Sequence, residues 1–261
     1  MERFVLNAKA KRILFCTGAG ASAESGIPTF RDTNGLWKNY DPKYLASAEA
    51  LSIDPVAVNH FYDSRRVRLG EVEPNYFHYF ITLMQNKFGE DRIGVITTNV
   101  DDLHERAETR NVHYLHGRLK EVVKNGRVMN IGYNVANYAP EKDTMRPNVV
   151  MFGEGGYYKN DKMYNPYKDG DKVIASLTKD DIVFVVGCSN LIINFPQECF
   201  CNGNGCRVYI VNPNEFGESV IHNETIIRKK ACDAVPEIED IIVEHLTSPP
   251  VERNVAYRVA K

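Results

Sequence analysis

The residues best suited to chemistry begin with a glycine turn near the start of the chain. Residues 13–16 form a short apolar run that predicts a buried strand of a parallel sheet. The run ends in Thr17-Gly18-Ala19-Gly20-Ala21-Ser22, where glycine lets a ligand approach the main chain closely. A glycine turn that leaves a strand is a typical site for the phosphates of a dinucleotide. Gly18-x-Gly20 lacks the third glycine of the usual fingerprint, so this turn alone is a weak signal.

Polar side chains follow two further predicted strands. Asn99 and Asp101 come just after residues 93–97, and His116 with Gly117 follows residues 112–115. The carboxyl ends of parallel strands meet at one edge of a sheet, where α/β proteins build their sites. A histidine at a strand end is more often structural, but this position favours a general base. The alternative for Asn99 and Asp101 is local: Asn99 caps a helix, and Asp101 places a charge near its N-terminus.

Six cysteines raise the question of metal binding. Cys199, Cys201 and Cys206 lie close together, but zinc needs a fourth ligand and a different spacing, so free thiols are favoured. Residues 118–148 contain no cysteine and include Asn125-Gly126 between two β-like runs, which predicts a hairpin. Because the sequence shows no pattern of a secretory leader, the cysteines indicate a reducing, cytoplasmic setting.

The composition is ordinary for a globular protein. The 261 residues are 43% hydrophobic and 25% charged, with a net charge of −2 and a pI near 6.4. This balance gives no reason to expect a nucleic-acid partner, and no apolar run is long enough to predict a membrane span. We expect a monomer that acts without nucleic acid or membrane.

Strands and helices alternate along the chain, which predicts a doubly wound α/β fold with a parallel sheet. Helices are expected at residues 55–69, 74–88 and 99–110, with a last helix from Ala234. Asp54-Pro55 marks the first start, with aspartate as the cap and proline at the first helical position. Later strands of the main sheet are expected at residues 149–152, 182–186, 208–211 and 226–227.

Residues 18–31, GAGASAESGIPTFR, resemble the signature of the sirtuins, a family of NAD-dependent protein deacylases. The resemblance continues in the family's order at Thr98-Asn99-Val100-Asp101, His116-Gly117, VVMFGE at 149–154, Gly187-Cys188-Ser189 and Val211-Asn212. The pattern is similar to the bacterial, desuccinylase-like class. It implies an NAD-binding Rossmann-like domain at residues 1–36, 89–117 and 149–261. A smaller insertion domain of helices and a β-hairpin would occupy residues 37–88 and 118–148.

The resemblance implies that NAD is consumed as a cosubstrate. His116 would be the general base for the ribose hydroxyls, with Asn99 and Asp101 at the nicotinamide and its ribose. Phe30 and Arg31 resemble a mobile loop that shields the reactive sugar carbon. The residues implied to contact NAD are Gly18, Ala19, Gly20, Ser22, Glu24, Phe30, Arg31, Thr98, Asn99, Val100, Asp101, Gly187, Cys188, Ser189, Asn212 and Cys232.

The chain departs from the family's pattern at three places. Thr98 stands where the family has glutamine, and this shorter side chain cannot make the same ribose contact. Cys188 replaces the usual threonine, a nearly isosteric change. The cysteines of the family's zinc ribbon are missing, so we expect no structural zinc.

Two segments are implied to bind the substrate. One matches the segment with which an extended acyl-lysine peptide pairs as an added strand, and its residues are Val150, Phe152, Gly153 and Glu154. The other is Tyr62 with Arg65, which lie three apart on a predicted helix and share a face. In sirtuins that remove succinyl and malonyl groups, such a pair grips the acyl carboxylate. The alternative is an exposed arginine beside a partly buried tyrosine.

The expected activity is NAD-dependent removal of an acetyl, succinyl or malonyl group from lysine, with nicotinamide, O-acyl-ADP-ribose and free lysine as products. One alternative is NAD hydrolysis or ADP-ribosyl transfer, which the same pocket would support. Thr98 and the missing zinc ribbon favour it, whereas the peptide-binding segment and the Tyr62/Arg65 pair argue against it. The other is a catalytically idle NAD-binding sensor, against which His116 and Asp101 argue.

Overall fold

The computed structural model describes residues 6–7, 10–29, 41–136, 145–159, 162–190, 192–214 and 224–248. In chain order, its elements are β1 (Ile13–Thr17), α1 (Ala19–Ala23), α2 (Pro42–Leu45), α3 (Ala48–Ile53), α4 (Pro55–Gly70), α5 (Tyr76–Phe88), β2 (Ile93–Thr97), α6 (Leu103–Arg106), β3 (Val112–Tyr114), β4 (Gly117–Lys124), β5 (Arg127–Asn130), β6 (Arg146–Val149), β7 (Tyr157–Lys159), β8 (Lys162–Tyr164), α7 (Tyr167–Ala175), β9 (Ile182–Val186), α8 (Phe195–Asn202), β10 (Arg207–Val211), β11 (Glu224–Ile227) and α9 (Val235–Thr247).

Six strands form a parallel sheet in the order β11-β10-β9-β1-β2-β3. The chain builds from β1 to β2 and β3 on one side and later adds β9, β10 and β11 on the other. The strand order therefore reverses between β1 and β9, which is where doubly wound proteins bind their ligands. The predicted doubly wound α/β fold is confirmed.

Both faces of this sheet are covered, which explains why β1 is wholly apolar before Thr17. Alternate side chains of a strand point to opposite faces. Ile13 and Phe15 pack in a core cluster with α5 and α9, whereas Leu14 and Cys16 pack in a second cluster with α7 and α8. Helix α5 thus packs on the main sheet, although the two-domain division places residues 74–88 in the small domain. That division stays a prediction.

A smaller antiparallel sheet, β5-β4-β6, lies beside helices α2, α3 and α4. Its predicted hairpin is confirmed: Asn125 and Gly126 have φ values of 51° and 76° between β4 and β5. Two consecutive positive φ values are the mark of the tight turn that suits the twist of a hairpin. Leu119 of β4 packs in the same core as Phe61 and Leu69 of α4.

Two predicted elements are wrong. Residues 149–152 do not return to the main sheet, because β6 instead pairs antiparallel with β4 and brings Val149 opposite Gly117. The helix expected at residues 99–110 shrinks to the single turn α6, because the side chain of Asn99 bonds elsewhere and cannot cap a helix. Glu108, with φ of 63°, then takes the chain out of helical conformation.

The helix starts follow local capping. The carboxylate of Asp54 accepts from the Ala57 N–H at 2.9 Å, as expected for the start of α4. The helix predicted from Pro74 begins at Tyr76 because Asn75 supplies the cap. Across the described ranges, no helix combines the length and apolar character needed to cross a bilayer.

Candidate active site

A cavity of about 670 Å³ opens at the carboxyl ends of β1 and β2, beside the reversal of strand order. Its walls come from the turn after β1, from α4, from the segment after β2 and from residues 149–154. The predicted site residues that line it are Ala19, Ser22, Tyr62, Arg65, Thr98, Asn99, Val100, Asp101, His116, Val150, Phe152, Gly153 and Glu154. Residues from five separate stretches of the chain therefore meet in one place.

The glycines of the turn after β1 serve a close contact between two turns. The N–H groups of Gly18 and Gly20 donate to the carbonyls of Val186 and Gly187 at 3.0 and 2.9 Å. A Cβ at Gly20 would lie 2.6 Å from the Cα of Gly187, so no larger residue fits there. These two N–H groups are committed to the protein, so their glycines can shape a phosphate site without donating to it.

Ser22 connects the two polar residues that follow β2. The side-chain amide of Asn99 donates to the Ser22 Oγ at 3.1 Å and to the Gly18 carbonyl at 3.0 Å. The Ser22 hydroxyl in turn donates to Oδ2 of Asp101 at 2.8 Å. All three side chains are buried at the cavity wall. The bonds fix the Asn99 amide and the Asp101 carboxyl relative to the turn after β1.

Burial raises the pKa of Asp101 to about 6, although hydrogen bonds from Ser22 and from the Leu103 N–H act in the opposite direction. Loss of water disfavours the charged form of a carboxyl group, whereas donors favour it. A carboxyl group with this pKa is largely ionised at neutral pH and still within reach of protonation. It can therefore hold a hydroxyl group or exchange a proton.

His116 follows β3, and a hydrogen bond at Nδ1 orients its imidazole ring. Its Nδ1 donates to the Thr98 carbonyl at 2.9 Å. A carbonyl oxygen can only accept, so the proton lies on Nδ1 and Nε2 keeps its lone pair. Burial lowers the pKa of His116, with the bond to Thr98 opposing this effect, which keeps the imidazole neutral. His116 can thus act as a base through Nε2.

Thr98 and Val100 line the cavity through local backbone contacts. The Thr98 hydroxyl donates to the Thr17 carbonyl at 3.2 Å, and its carbonyl is the partner of His116. The Val100 carbonyl accepts from the Leu119 N–H at 2.8 Å, which joins this segment to β4. Thr98 therefore serves to support its neighbours.

The predicted residues at the ends of β9 and β10 contact one another outside the cavity lining. The Asn212 amide donates to the Cys188 carbonyl at 2.9 Å, and the Cys188 thiol points back at the Cys16 carbonyl at 3.5 Å. Burial raises the pKa of the Cys188 thiol, so it stays neutral. Ser189 follows, half-buried. The Asn212 amide is therefore used within the protein to join the two strand ends.

Glu24 and Cys232 form a further pair of predicted residues. The Cys232 N–H donates to the Glu24 carboxylate at 2.9 Å, which joins the turn after α1 to the start of α9. Burial raises the pKa of the Cys232 thiol to about 11. Phe30 and Arg31 lie outside the described residues.

Tyr62 and Arg65 share one face of α4, as predicted from their spacing, and both line the cavity. Tyr62 is buried, and burial raises its pKa while the positive charge of Arg65 opposes the rise. The Arg65 guanidinium lies 4.4 Å from the centroid of the Phe61 ring. A phenol and a guanidinium at one cavity wall can together bind a carboxylate.

The segment after β6 is held on both sides. Phe152 donates to the Ala46 carbonyl at 2.8 Å and accepts from the Ala48 N–H at 2.9 Å, and the Val150 N–H donates to the His116 carbonyl at 2.8 Å. The Glu154 carboxylate is bound by the Arg146 guanidinium, and it also accepts from the Met151 N–H at 3.0 Å. Glu154 therefore shapes this segment, while Gly153 bends it with φ of 88°.

Tyr167 and Ile192 also line the cavity, although neither was predicted from the sequence. Tyr167 is the first residue of α7 and packs edge-on against His116, with ring centroids 6.1 Å apart. It lies 51 residues after His116, and only Pro166 before it signals a helix start. No local pattern connects the two.

Within the part of the chain that the structure describes, no three His, Cys, Asp or Glu side chains converge as metal ligands. Cys199 and Cys206 are buried free thiols, and Cys201 is exposed. The absence of a structural zinc stays a prediction.

Comparisons with known proteins all find similarity to one family. The model of the Sir2 family matches residues 18–193. A Helicobacter pylori protein named NAD-dependent protein deacylase is 39% identical over 240 residues, which cover 90% of this chain and 98% of the relative. The protein of that name from Thermococcus kodakarensis is 34% identical over 261 residues, with 92% and 95% covered.

Solved structures give the same relationship. A Sir2 homologue in complex with NAD superposes with a TM-score of 0.72 at 28% identity, covering 94% of this chain and 98% of that one. A Sir2 homologue variant in complex with 2′-O-acetyl ADP ribose gives a TM-score of 0.73 at 29% identity, with 92% and 95% covered.

Proposed function

The chain belongs to the Sir2 family, and on this premise we propose that it is an NAD-dependent protein lysine deacylase. The observation that carries the proposal is the state of His116. Its Nδ1 proton is held by the Thr98 carbonyl, so a neutral ring offers Nε2 at the wall of a cavity that also holds Asn99 and Asp101. The products are nicotinamide, O-acyl-ADP-ribose and the free lysine.

NAD is the cosubstrate, and the residues present fit it. The cavity lies beside the reversal of strand order, and the amide oxygen of Asn190, after β9 and two residues before cavity-lining Ile192, is buried with no partner among the described residues. An unpartnered buried acceptor suits a hydroxyl or amide donor of a ligand. NAD supplies the sugar carbon that takes up the acyl oxygen as nicotinamide leaves.

We assign one role to each central side chain. His116 accepts a proton at Nε2 from a sugar hydroxyl. The Asn99 amide and the Asp101 carboxyl, fixed through Ser22, hold the nicotinamide and its ribose. Phe152 and Gly153 border the acyl-lysine peptide. Because both backbone groups of Phe152 are already bonded, we assign the strand-like pairing of the peptide to Gly153 and its neighbours.

We further propose that the enzyme accepts acidic acyl groups such as succinyl and malonyl. Arg65 brings a positive charge to the cavity wall, and Tyr62 brings a buried phenol one helical turn away. A carboxylate in this place gains charge-assisted hydrogen bonds that an acetyl group lacks. The six free thiols support the proposal of a reducing, cytoplasmic setting, and we propose a monomer as the active form.

The test is nicotinamide release from NAD alone, then with acetyl-lysine and succinyl-lysine peptides. We expect release that needs an acyl peptide and disappears in His116→Ala. His60→Ala, an exposed histidine of α4, is the matched control and should act like the wild type. Rapid release without peptide would instead identify an NAD hydrolase, and no release with any peptide would favour an NAD sensor.

A further inference from the structure

The first turn of α7 lies directly against the end of β3, where His116 stands. The rings of Tyr167 and His116 meet at an angle of 70°, and both residues line the cavity. Among the described residues, Tyr167 is the aromatic side chain that the structure places in ring contact with His116. An edge-to-face contact of two rings contributes beyond simple burial of surface.

His116 needs such a second contact. The hydrogen bond from Nδ1 to the Thr98 carbonyl sets the tautomer, but one hydrogen bond leaves the ring able to tilt about it. A tilt would move Nε2, the atom that must meet the sugar hydroxyl. Small displacements of a catalytic group reduce rates strongly, because reaction requires aligned atoms at close distance.

Tyr167 is itself fixed by residues close to His116 in the chain. The Nε2 of buried His113 donates to the Pro166 carbonyl at 2.9 Å, so it holds the residue just before Tyr167. Gly170, one turn later, lets α7 approach β3: a Cβ there would lie 3.2 Å from a methyl carbon of Leu115. The stretch from His113 to His116 thus carries both the proposed base and the attachment for the helix that packs on it.

We propose that Tyr167 is a positioning residue that fixes the imidazole of His116, and that the bond from His113 to Pro166 sets the place of Tyr167. The expected effect of Tyr167 on the reaction rate rests on the proposed function. Its expected effect on the orientation of the His116 ring does not. Tyr167 also packs against the apolar cluster of α7 and α8, so a purely structural role is the alternative.

The titration of His116 separates the two roles. Its pKa is lowered by burial. The Tyr167 ring contacts the imidazole edge-on, so its removal is expected to admit water to that side of His116. The other groups of the cavity wall that titrate or carry charge are Tyr62, Arg65, Arg68, Asp101 and Glu154. Removing Tyr167 leaves all of these in place, so a change in the titration reports the missing ring.

The experiment follows the imidazole resonances of His116 by NMR over a pH series, in the wild type, Tyr167→Ala and Tyr167→Phe. His116→Ala provides the assignment. In Tyr167→Ala we expect the ring-current shift to disappear and the pKa of His116 to rise towards 6.5. Tyr167→Phe should keep the wild-type values, since it retains the ring. His113→Leu should move them in the direction of Tyr167→Ala.

Activity gives the second readout. In Tyr167→Ala we expect kcat for deacylation to fall about tenfold with a smaller change in the KM for NAD, because positioning acts on the reacting complex. Tyr79→Ala, an exposed tyrosine of α5, is the control. If Tyr167→Ala does not fold, Tyr167→Leu keeps the apolar volume without the ring. An unchanged His116 titration in the folded variant overturns the inference, whereas an inactive wild type overturns the proposed function alone.

Discussion

The Ser22 hydroxyl lies 2.8 Å from Oδ2 of Asp101 and joins the turn after β1 to the segment after β2. Ser22 also accepts from Asn99, so one hydroxyl satisfies two buried polar groups. The pKa of Asp101 is nevertheless raised to about 6, which means that removal from water outweighs these bonds. The protein therefore holds a buried carboxylate at the cavity at neutral pH.

This burial predicts a dependence of stability on pH. The ordinary pKa of aspartate is near 3.9, so the folded state binds more protons than the unfolded state between the two values. The fold is therefore more stable with Asp101 protonated. This contribution to the free energy of unfolding is fully present below about pH 4 and is lost as pH rises through about 6. A shift of two units corresponds to roughly 3 kcal/mol in the free energy of unfolding.

Asp101→Asn removes this titration. Between pH 4 and pH 7 the wild type should lose about 2–3 kcal/mol of unfolding free energy that the variant does not lose, so the difference between variant and wild type should change by this amount in favour of the variant. Urea unfolding of both proteins at the two pH values measures this difference. Two free-energy curves that run parallel across the range would mean that Asp101 does not carry the effect.

The contact between the two glycine turns predicts a severe effect of one methyl group. Gly20→Ala would place its Cβ 2.6 Å from the backbone of Gly187, and neither turn can move without breaking its hydrogen bonds. We expect a loss of about 2–3 kcal/mol in stability and weaker NAD binding, as for other overpacked sites. Gly155→Ala is the matched control, since nothing lies within 4 Å of its Cβ position. Equal melting temperatures of the two variants would refute the packing argument.

The small antiparallel sheet is expected to need no metal. The carboxylate of Asp102, in the segment after β2, accepts from the Tyr133 hydroxyl at 2.7 Å and pairs with the Lys120 ammonium of β4 at 2.9 Å. We therefore expect the melting temperature to be the same before and after treatment with a chelator, with no zinc in purified protein by elemental analysis. One zinc per chain, with a drop in melting temperature on its removal, would contradict this.

Predictions succeeded where neighbouring residues determine the structure, and they failed where contacts between distant parts of the chain determine it. β2 and β9 have the predicted bounds because their apolar runs are buried on both faces whatever the partner. The β4–β5 hairpin followed from Asn125-Gly126, whose backbone preference is local. The helix after β2 failed because Asn99 bonds to Gly18, which is 81 residues away. Tyr167 was missed for the same reason, since only the folded chain places it on His116.

The acyl preference is the prediction that tests the sequence pattern most sharply. If Arg65 binds the acyl carboxylate, Arg65→Met removes a charge-assisted hydrogen bond worth about 1.5–3 kcal/mol. We expect kcat/KM for a succinyl-lysine peptide to fall by about 10- to 100-fold, with a much smaller loss for an acetyl-lysine peptide. Tyr62→Phe should act in the same direction, but less strongly, because its hydroxyl is neutral.

Arg68→Met is the matched control for this comparison. Arg68 lines the same cavity from the next turn of α4, but its guanidinium is paired with Glu71 at 2.9 Å. We expect its ratio of desuccinylation to deacetylation to equal that of the wild type. If Arg65→Met keeps this ratio as well, the positive charge at the cavity wall does not select the acyl group. Tyr62 and Arg65 would then be a buried tyrosine and an arginine that packs on Phe61.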